Sequence, residues 1–154
     1  THLKLGEQKR VLPMIPALRN AEYVRYGVLH RNTFLDSPRL LDATYALKSE
    51  PRIRFAGQMT GVEGYIESTA SGWTAGVAAA MEVLGRPMPQ LDRFTAVGAL
   101  ASYISDHTVT KFQPMNINFG IIEPLGYKIK GKREKNAKIS ERALERIESL
   151  KGEL

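Results

Sequence analysis

Apolar and polar positions alternate unevenly along the chain, and the spacing predicts mostly helices and short strands. Leu3, Leu5, Val11, Leu12, Met14 and Ile15 fall among Lys4, Glu7, Gln8, Lys9 and Arg10, which predicts a short amphipathic helix ended near Pro13 or Pro16. Tyr23 to Leu29 is rich in β-branched and aromatic residues and predicts a strand, with Gly27 marking a bulge or close backbone approach. Residues 35 to 50 carry turn residues at Asp36-Ser37-Pro38 and few apolar anchors, so they read as loop with a short strand or helix. Arg52 to Ala56 reads as a strand, Gly57 to Gly64 as a glycine-punctuated turn, and Tyr65 to Leu84 as a helix. Its expected apolar side is Ile66, Ala70, Trp73, Ala75, Ala78, Ala79 and Val83. Gly72 and Gly76 would let another backbone or a flat ligand approach. Gly85-Arg86-Pro87 stops it. A further helix is expected over Asp92 to Ile104, then an ordered loop through Lys111 to Ile122, then a last helix over Glu141 to Leu150 with Ser140 as its N-cap. No internal repeat or low-complexity linker interrupts the chain, so one compact unit is expected.

The densest chemical signal is residues 55 to 76, FAGQMTGVEGYIESTASGWTAG. A glycine turn between strand and helix gathers backbone N–H groups at a positive helix end, where they can cradle a phosphate, a polarised carbonyl or the edge of a flavin ring. The spacing is GxxxGxxG, not GxGxxG, and no Walker Lys or Ser/Thr follows, so it is not a P-loop. Tight packing explains the same glycines, and Glu63 reads equally as a cap or as a ligand-facing group. His30, Arg31, Asn32 and Thr33 form a donor-rich cluster at the end of the expected strand, or an ordinary strand edge. His107 beside Asp106 is only superficially an acid–base pair, because adjacent side chains diverge and no nucleophile motif supports them. A metal site has no support in the sequence, with three His, no Cys and no HExxH.

Composition narrows these readings. The 154 residues suffice for one domain and are short for a two-domain enzyme. The absence of Cys excludes disulfides, thiolate metal sites and a cysteine nucleophile within the chain. No apolar run is long enough for a membrane span and no secretory leader is visible, so a cytoplasmic location is the expectation. The net charge of +6 arises from 22 Lys+Arg against 16 Asp+Glu. Lys128, Lys130, Lys132, Arg133, Lys135 and Lys138 concentrate it, opposed only by Glu134. Such a run can contact a phosphate backbone, or be a solvated linker. The chain opens at Thr1 inside a helix-like pattern, which suggests a piece of something longer.

The segments THLKLGEQKRV, AEYVRYGVLHRNTF, RIRFAGQMTGVEGYIESTASGWTAG, AVGALASYIS, FQPMNINFGII and KREKNAKISERALERI resemble the C-terminal portion of the folate- and FAD-dependent tRNA uracil-5-methyltransferase family, TrmFO or Gid. The resemblance covers essentially the whole chain. It implies an α/β fold: the C-terminal part of a Rossmann-like FAD-binding domain with the end of an inserted domain, incomplete as a fragment. On it, residues 1–29 end the inserted domain and return to the FAD domain, 30–125 form the C-terminal half of the FAD domain, and 126–154 are a basic segment and C-terminal helix. The resemblance assigns Gly57, Gln58, Thr60, Gly61, Val62, Glu63 and Gly64 to the flavin, and His30, Arg31 and Asn32 to the flavin or substrate cleft. It assigns no catalytic residue to this chain, and it makes Lys128 to Lys138 the candidate tRNA backbone contacts. The reaction implied is methyl transfer to C5 of the T-loop uridine of tRNA, with methylenetetrahydrofolate as carbon source, FAD as redox carrier and NAD(P)H as reductant. The GxGxxG loop and the family's cysteines would belong to a missing N-terminal portion, without which the 154 residues would be inactive. A weaker similarity, over FAGQ and GxxGYxE, is to the wobble-uridine modifiers of the GidA/MnmG type, and HRNTF and FQPMNINFG favour the first family. A standalone RNA-binding module is the alternative of a different class.

Overall fold

The computed structural model describes residues 3–27 and 32–153. The chain divides into two compact units, residues 1–33 and 34–154, rather than the single unit expected.

In the first unit, helix α1 (Leu5–Val11) runs into two single-turn 3-10 helices, Leu12–Met14 and Pro16–Leu18. Each proline stands at the first or second helical position, where its missing N–H costs nothing. The buried residue of α1 is the polar Gln8, not an apolar one. Its amide is satisfied at both ends: Nε2 donates to the Leu3 carbonyl (2.7 Å) and Oε1 accepts from Gly27 N–H (2.8 Å). Leu5, Met14 and Ile15 stay exposed. The strand expected from Tyr23 is not formed over residues 23–27, and the rest of it lies outside the described residues. Gly27 sits at φ 107° and gives its N–H to Gln8, a geometry incompatible with a strand ladder. Tyr23 and Tyr26 stack instead, with ring centroids 4.8 Å apart.

The second unit holds a short helix α2 (Ser37–Leu40), strands β1 (Ala46–Leu47) and β2 (Glu50–Arg54), and helices α3 (Tyr65–Val83), α4 (Ala96–Ser105) and α5 (Lys132–Leu150). Among the described residues the fold is α/β with one antiparallel strand pair, Ala46 opposite Arg54 and Leu47 opposite Glu50, bulged between Ala46 and Leu47. Tyr45 precedes the bulge with φ 64°, and Asp42 braces it by accepting from Thr44 N–H, the Thr44 hydroxyl and Ala46 N–H. Leu41, Tyr45, Val62, Ala75, Leu100, Ala101, Ile104 and Phe112 make the main core, and Ala99, Ile122 and Ile139 a smaller one.

Three helices of this unit differ from the sequence expectation, α4 by starting at Ala96 rather than Asp92. The inward face of α3 is Ser71, Thr74, Ala75, Ala78 and Met81, while Ile66 and Val83 are exposed. The buried hydroxyls give their protons to carbonyls of their own helix, Ser71 to Ser68 and Thr74 to Ala70, so small polar residues pack where an apolar count does not look for them. Helix α5 begins at Lys132, nine residues before the expected start, and Ser140 is not its cap. Gly131 at φ 100° is the N-cap, its carbonyl accepting from Lys135 N–H. Lys, Arg, Glu and Ala are good helix formers, and buried Ile139 anchors the early turns. Helix α4 starts at Ala96, capped by the Thr95 hydroxyl, which accepts from Gly98 N–H at 3.0 Å. Gly98 is required there, since a Cβ would run into the carbonyls of Leu91 and Asp92.

Candidate functional site

The turn from β2 into α3 is built as a 3-10 turn, Gly57–Thr60, closed by Gly61 at φ 87° and Gly64 at φ 97°. Its inner half is locked. Gly57 N–H donates to the Ser71 hydroxyl (2.7 Å), the Thr60 hydroxyl donates to the Gly57 carbonyl (2.7 Å), and the Ser37 hydroxyl donates to the Thr60 carbonyl (2.8 Å). Thr60 and Val62 are fully buried, and the Phe112 ring fills the space where Gly61 lacks a Cβ. Of the seven turn residues assigned from the resemblance, Thr60, Gly61 and Val62 are therefore framework facing the core. Gln58 and Gly64 are exposed, and Gly57 and Glu63 are half-buried.

The loop Phe112 to Asn118 is laid along this turn. Val62 and Met115 form a parallel bridge, with Glu63 N–H donating to the Met115 carbonyl (3.0 Å) and Met115 N–H to the Gly61 carbonyl (3.1 Å). Asn116 Nδ2 donates to the Glu63 carbonyl (3.0 Å), and Ile117 N–H donates to the Glu67 carboxylate (3.2 Å). The sequence shows the amide-rich loop but not its partner. Glu67, three residues after the N-cap, is the last residue of the GxxGYxE pattern, and its place in the first helical turn is the signal that could have singled it out.

The outer half of the turn is open. Gly64, the N-cap of α3, offers no side-chain cap to the first helical N–H groups, and Tyr65 and Ile66 are almost fully exposed. A 19-residue helix thus begins at an exposed surface with no side-chain N-cap, and Glu67 is the acidic residue of its first turn. That arrangement suits an electron-rich edge or an anion.

Among the other candidates, His30 and Arg31 lie outside the described residues, and Asn32 is half-buried in the first unit. Asp106 accepts from the Thr108 hydroxyl (2.7 Å) and Thr108 N–H (2.9 Å), which lowers its carboxyl below the usual range and makes it a turn brace rather than a partner for His107. No cluster of metal-ligating side chains occurs among the described residues. Lys128, Lys130, Lys132, Arg133 and Lys135 are exposed, and none forms an ion pair among the described residues. Lys138 binds Glu141 at 2.7 Å, and that hydrogen bond raises its ammonium above the ordinary lysine range. No helix among the described residues is long and apolar enough to cross a membrane.

A glycine-locked strand-to-helix turn with an uncapped helix end is a feature of nucleotide- and flavin-binding α/β proteins as a class. Residues 1–87 match the family described as glucose inhibited division protein A, and the chain belongs to that family. It is 58% identical over 144 residues, 94% of its length, to the methylenetetrahydrofolate-tRNA-(uracil-5-)-methyltransferase TrmFO of Acetivibrio thermocellus, covering 33% of that protein. The TrmFO of Desulfitobacterium hafniense is 54% identical over 98% of the chain, and that of Bacillus subtilis 53% over 97%, with 35% and 34% of those proteins covered. The resemblance to TrmFO read from the motifs is borne out. The chain spans about a third of the length of the curated relatives it matches.

Proposed function

We propose that the chain is the C-terminal, flavin-contacting portion of a folate- and FAD-dependent tRNA (uracil-5-)-methyltransferase. The observation that carries this reading is the 58% identity to a TrmFO over 94% of the chain. Within a polypeptide of the relatives' length, the activity is methylation of C5 of the T-loop uridine of tRNA, with methylenetetrahydrofolate and NAD(P)H as co-substrates. The 154 residues alone are inactive on this reading, since the pyrophosphate-binding loop and thiol chemistry reside elsewhere. On this reading residues 1–29 close an inserted domain, 30–125 complete a Rossmann-like FAD domain, and 126–154 are a basic segment and C-terminal helix.

The turn fits the flavin in a specific way. FAD supplies the redox chemistry that converts the folate-borne carbon into a methyl group. The uncapped N–H groups at the start of α3, flanked by exposed Gln58 and Gly64, offer donors to the ring's electron-rich edge. Gly64 holds φ 97°, a conformation that favours glycine, and a Cβ there would crowd the Glu67 carboxylate and the Asn116 amide. Thr60, Gly61 and Val62 support that edge from beneath. His30, Arg31 and Asn32 are proposed to line the cleft, and Lys128, Lys130, Lys132, Arg133, Lys135 and Lys138 to meet tRNA phosphates.

The test is to purify a full-length polypeptide carrying this segment, record its flavin absorbance, and incubate it with a tRNA transcript, methylenetetrahydrofolate and NAD(P)H. Folate-dependent methylation at the T-loop uridine is expected. Modification at the anticodon wobble position would transfer the reading to the GidA/MnmG type. Specific tRNA binding without bound flavin would leave an RNA-binding module.

A further inference from the structure

We propose that the cleft between the α3–α4 connection and α5 holds an unstacked nucleobase of the RNA, with Phe94 and Arg142 as its stacking platform. This rests on the reading of the protein as a tRNA-modifying enzyme and adds a base-binding site remote in sequence from the glycine turn.

The cleft has a volume of about 850 Å³ and is lined by Thr44, Pro89, Phe94, Ser102 and Arg142, among others. That lies within the ~300–1,000 Å³ typical of small-ligand sites. The Arg142 guanidinium lies 4.5 Å from the centroid of the Phe94 ring. The Arg142 guanidinium and the Phe94 backbone are both held. Arg142 donates to the Pro124 carbonyl at 3.1 Å and to the Glu123 carbonyl, and Phe94 N–H donates to Asp92 Oδ1 at 3.1 Å. Phe94 nevertheless remains 40% exposed, a large share for an aromatic ring set in a cleft. A fixed cation–aromatic pair with accessible surface is a platform for a flat ring, and every base has a π-face to lay on it.

The charge around the cleft selects a nucleotide over a neutral aromatic. Its two carboxylates are already engaged, Asp92 with Arg146 at 2.8 Å and Glu123 with Arg93 at 3.9 Å, so neither stands free to repel phosphate. Lys135, Lys138, Arg142 and Arg146 recur at spacings of three and four along α5 and therefore share one side of the helix. The loop that contributes Pro124 and Gly126 to the rim continues into exposed Tyr127, Lys128 and Lys130. Arg146 is paired with Asp92 and Lys138 with Glu141, so the cations open to a chain of phosphates are Lys128, Lys130 and Lys135, and a nucleotide carries both the flat ring and the charge that this path to the platform recognises.

The proposal is tested on the full chain with two probes, a labelled octauridylate and the abasic octamer with the same number of phosphates. The wild type should bind the octauridylate more tightly. Phe94→Ala should weaken that binding about tenfold and leave the abasic octamer unchanged, while Phe94→Tyr, which retains a ring, should stay near wild type. Circular dichroism establishes that each variant is folded. Equal binding of both probes by the wild type, or equal loss of both in Phe94→Ala, overturns the proposal. If the wild type binds the octauridylate and Phe94→Ala binds it as well, the cleft assignment falls and the methyltransferase reading stands. If the wild type binds neither probe and the full-length polypeptide fails to methylate tRNA, both fall.

Discussion

Asn116 and Glu63, 53 positions apart, are joined by a hydrogen bond of 3.0 Å from the Asn116 side-chain amide to the Glu63 carbonyl. The same amide reaches the Glu67 carboxylate at 3.5 Å, so one side chain pins the loop to the start of α3. Removing it in Asn116→Ala should cost about 1 kcal/mol. Asn116→Asp should cost more than Ala, because a carboxylate there faces a carbonyl oxygen and a second carboxylate. Urea denaturation of both variants checks the order, and an Asp variant as stable as the Ala variant would contradict this role.

Gly61 and Gly57 both have positive φ, 87° and 74°, but their surroundings differ. A Cβ at Gly57 meets nothing nearer than Ser68 Cβ at 3.8 Å, whereas one at Gly61 runs into the Phe112 ring. Gly57→Ala should therefore cost only the left-handed backbone strain, about 1–2 kcal/mol. Gly61→Ala adds overpacking and should cost about 3 kcal/mol in all. The difference in denaturation midpoint between the two variants measures the clash with Phe112, and equal losses would mean that the ring moves aside freely.

Tyr45 is 1% exposed, and desolvation by burial pushes its phenol well above the ordinary tyrosine range. The unfolded phenol ionises near pH 10, about 10 being the reference value. The folded-state pKa is raised, so this contribution to stability is fully present below about pH 10 and declines as the pH rises from there toward the folded value. Stability of the wild type should thus fall on the alkaline side. Tyr45→Phe, which keeps the ring, should flatten that decline, as denaturation curves across the alkaline range would register. An unchanged alkaline slope would show that another group governs it.

Legibility in the sequence follows the range of the interaction. The turn from β2 into α3 and the length of α3 are readable because glycine punctuation and helix propensity act locally. The inward face of α3 is not, because Ser71 and Thr74 are buried by satisfying their hydroxyls within the helix, which hydrophobic periodicity cannot register. The strand expected at Tyr23 fails over residues 23–27 because Gln8, nineteen positions away, captures the Gly27 N–H. Asn116 and Ile117 reach Glu63 and Glu67 over about fifty positions, so the loop's amides are visible while their purpose is not. The early start of α5 is hidden by its charge, which reads as a solvated run until Ile139 is seen in the core.

That early start sets stability against binding. Lys132, Arg133 and Lys135 occupy the first turn of α5, with Glu134 as the acidic residue there, so cations crowd the positive end of the helix dipole. Each like-signed pairing of charge and dipole costs roughly 0.3–1 kcal/mol at low ionic strength and fades with salt. Replacing Lys132 and Lys135 by Gln should therefore raise the melting temperature in low salt and leave it unchanged in high salt. On the proposed tRNA contact, the same double variant should weaken tRNA binding and reduce the slope of log K against log salt by about 0.7–0.9 for each phosphate that is no longer neutralised. The two effects have opposite signs because a positive helix end that repels its own lysines attracts a polyanion. Thermal melts and salt-dependent tRNA titrations of the same preparations decide the matter. A variant that gains stability while keeping its full salt-dependent affinity would show that these lysines are only a solvated face.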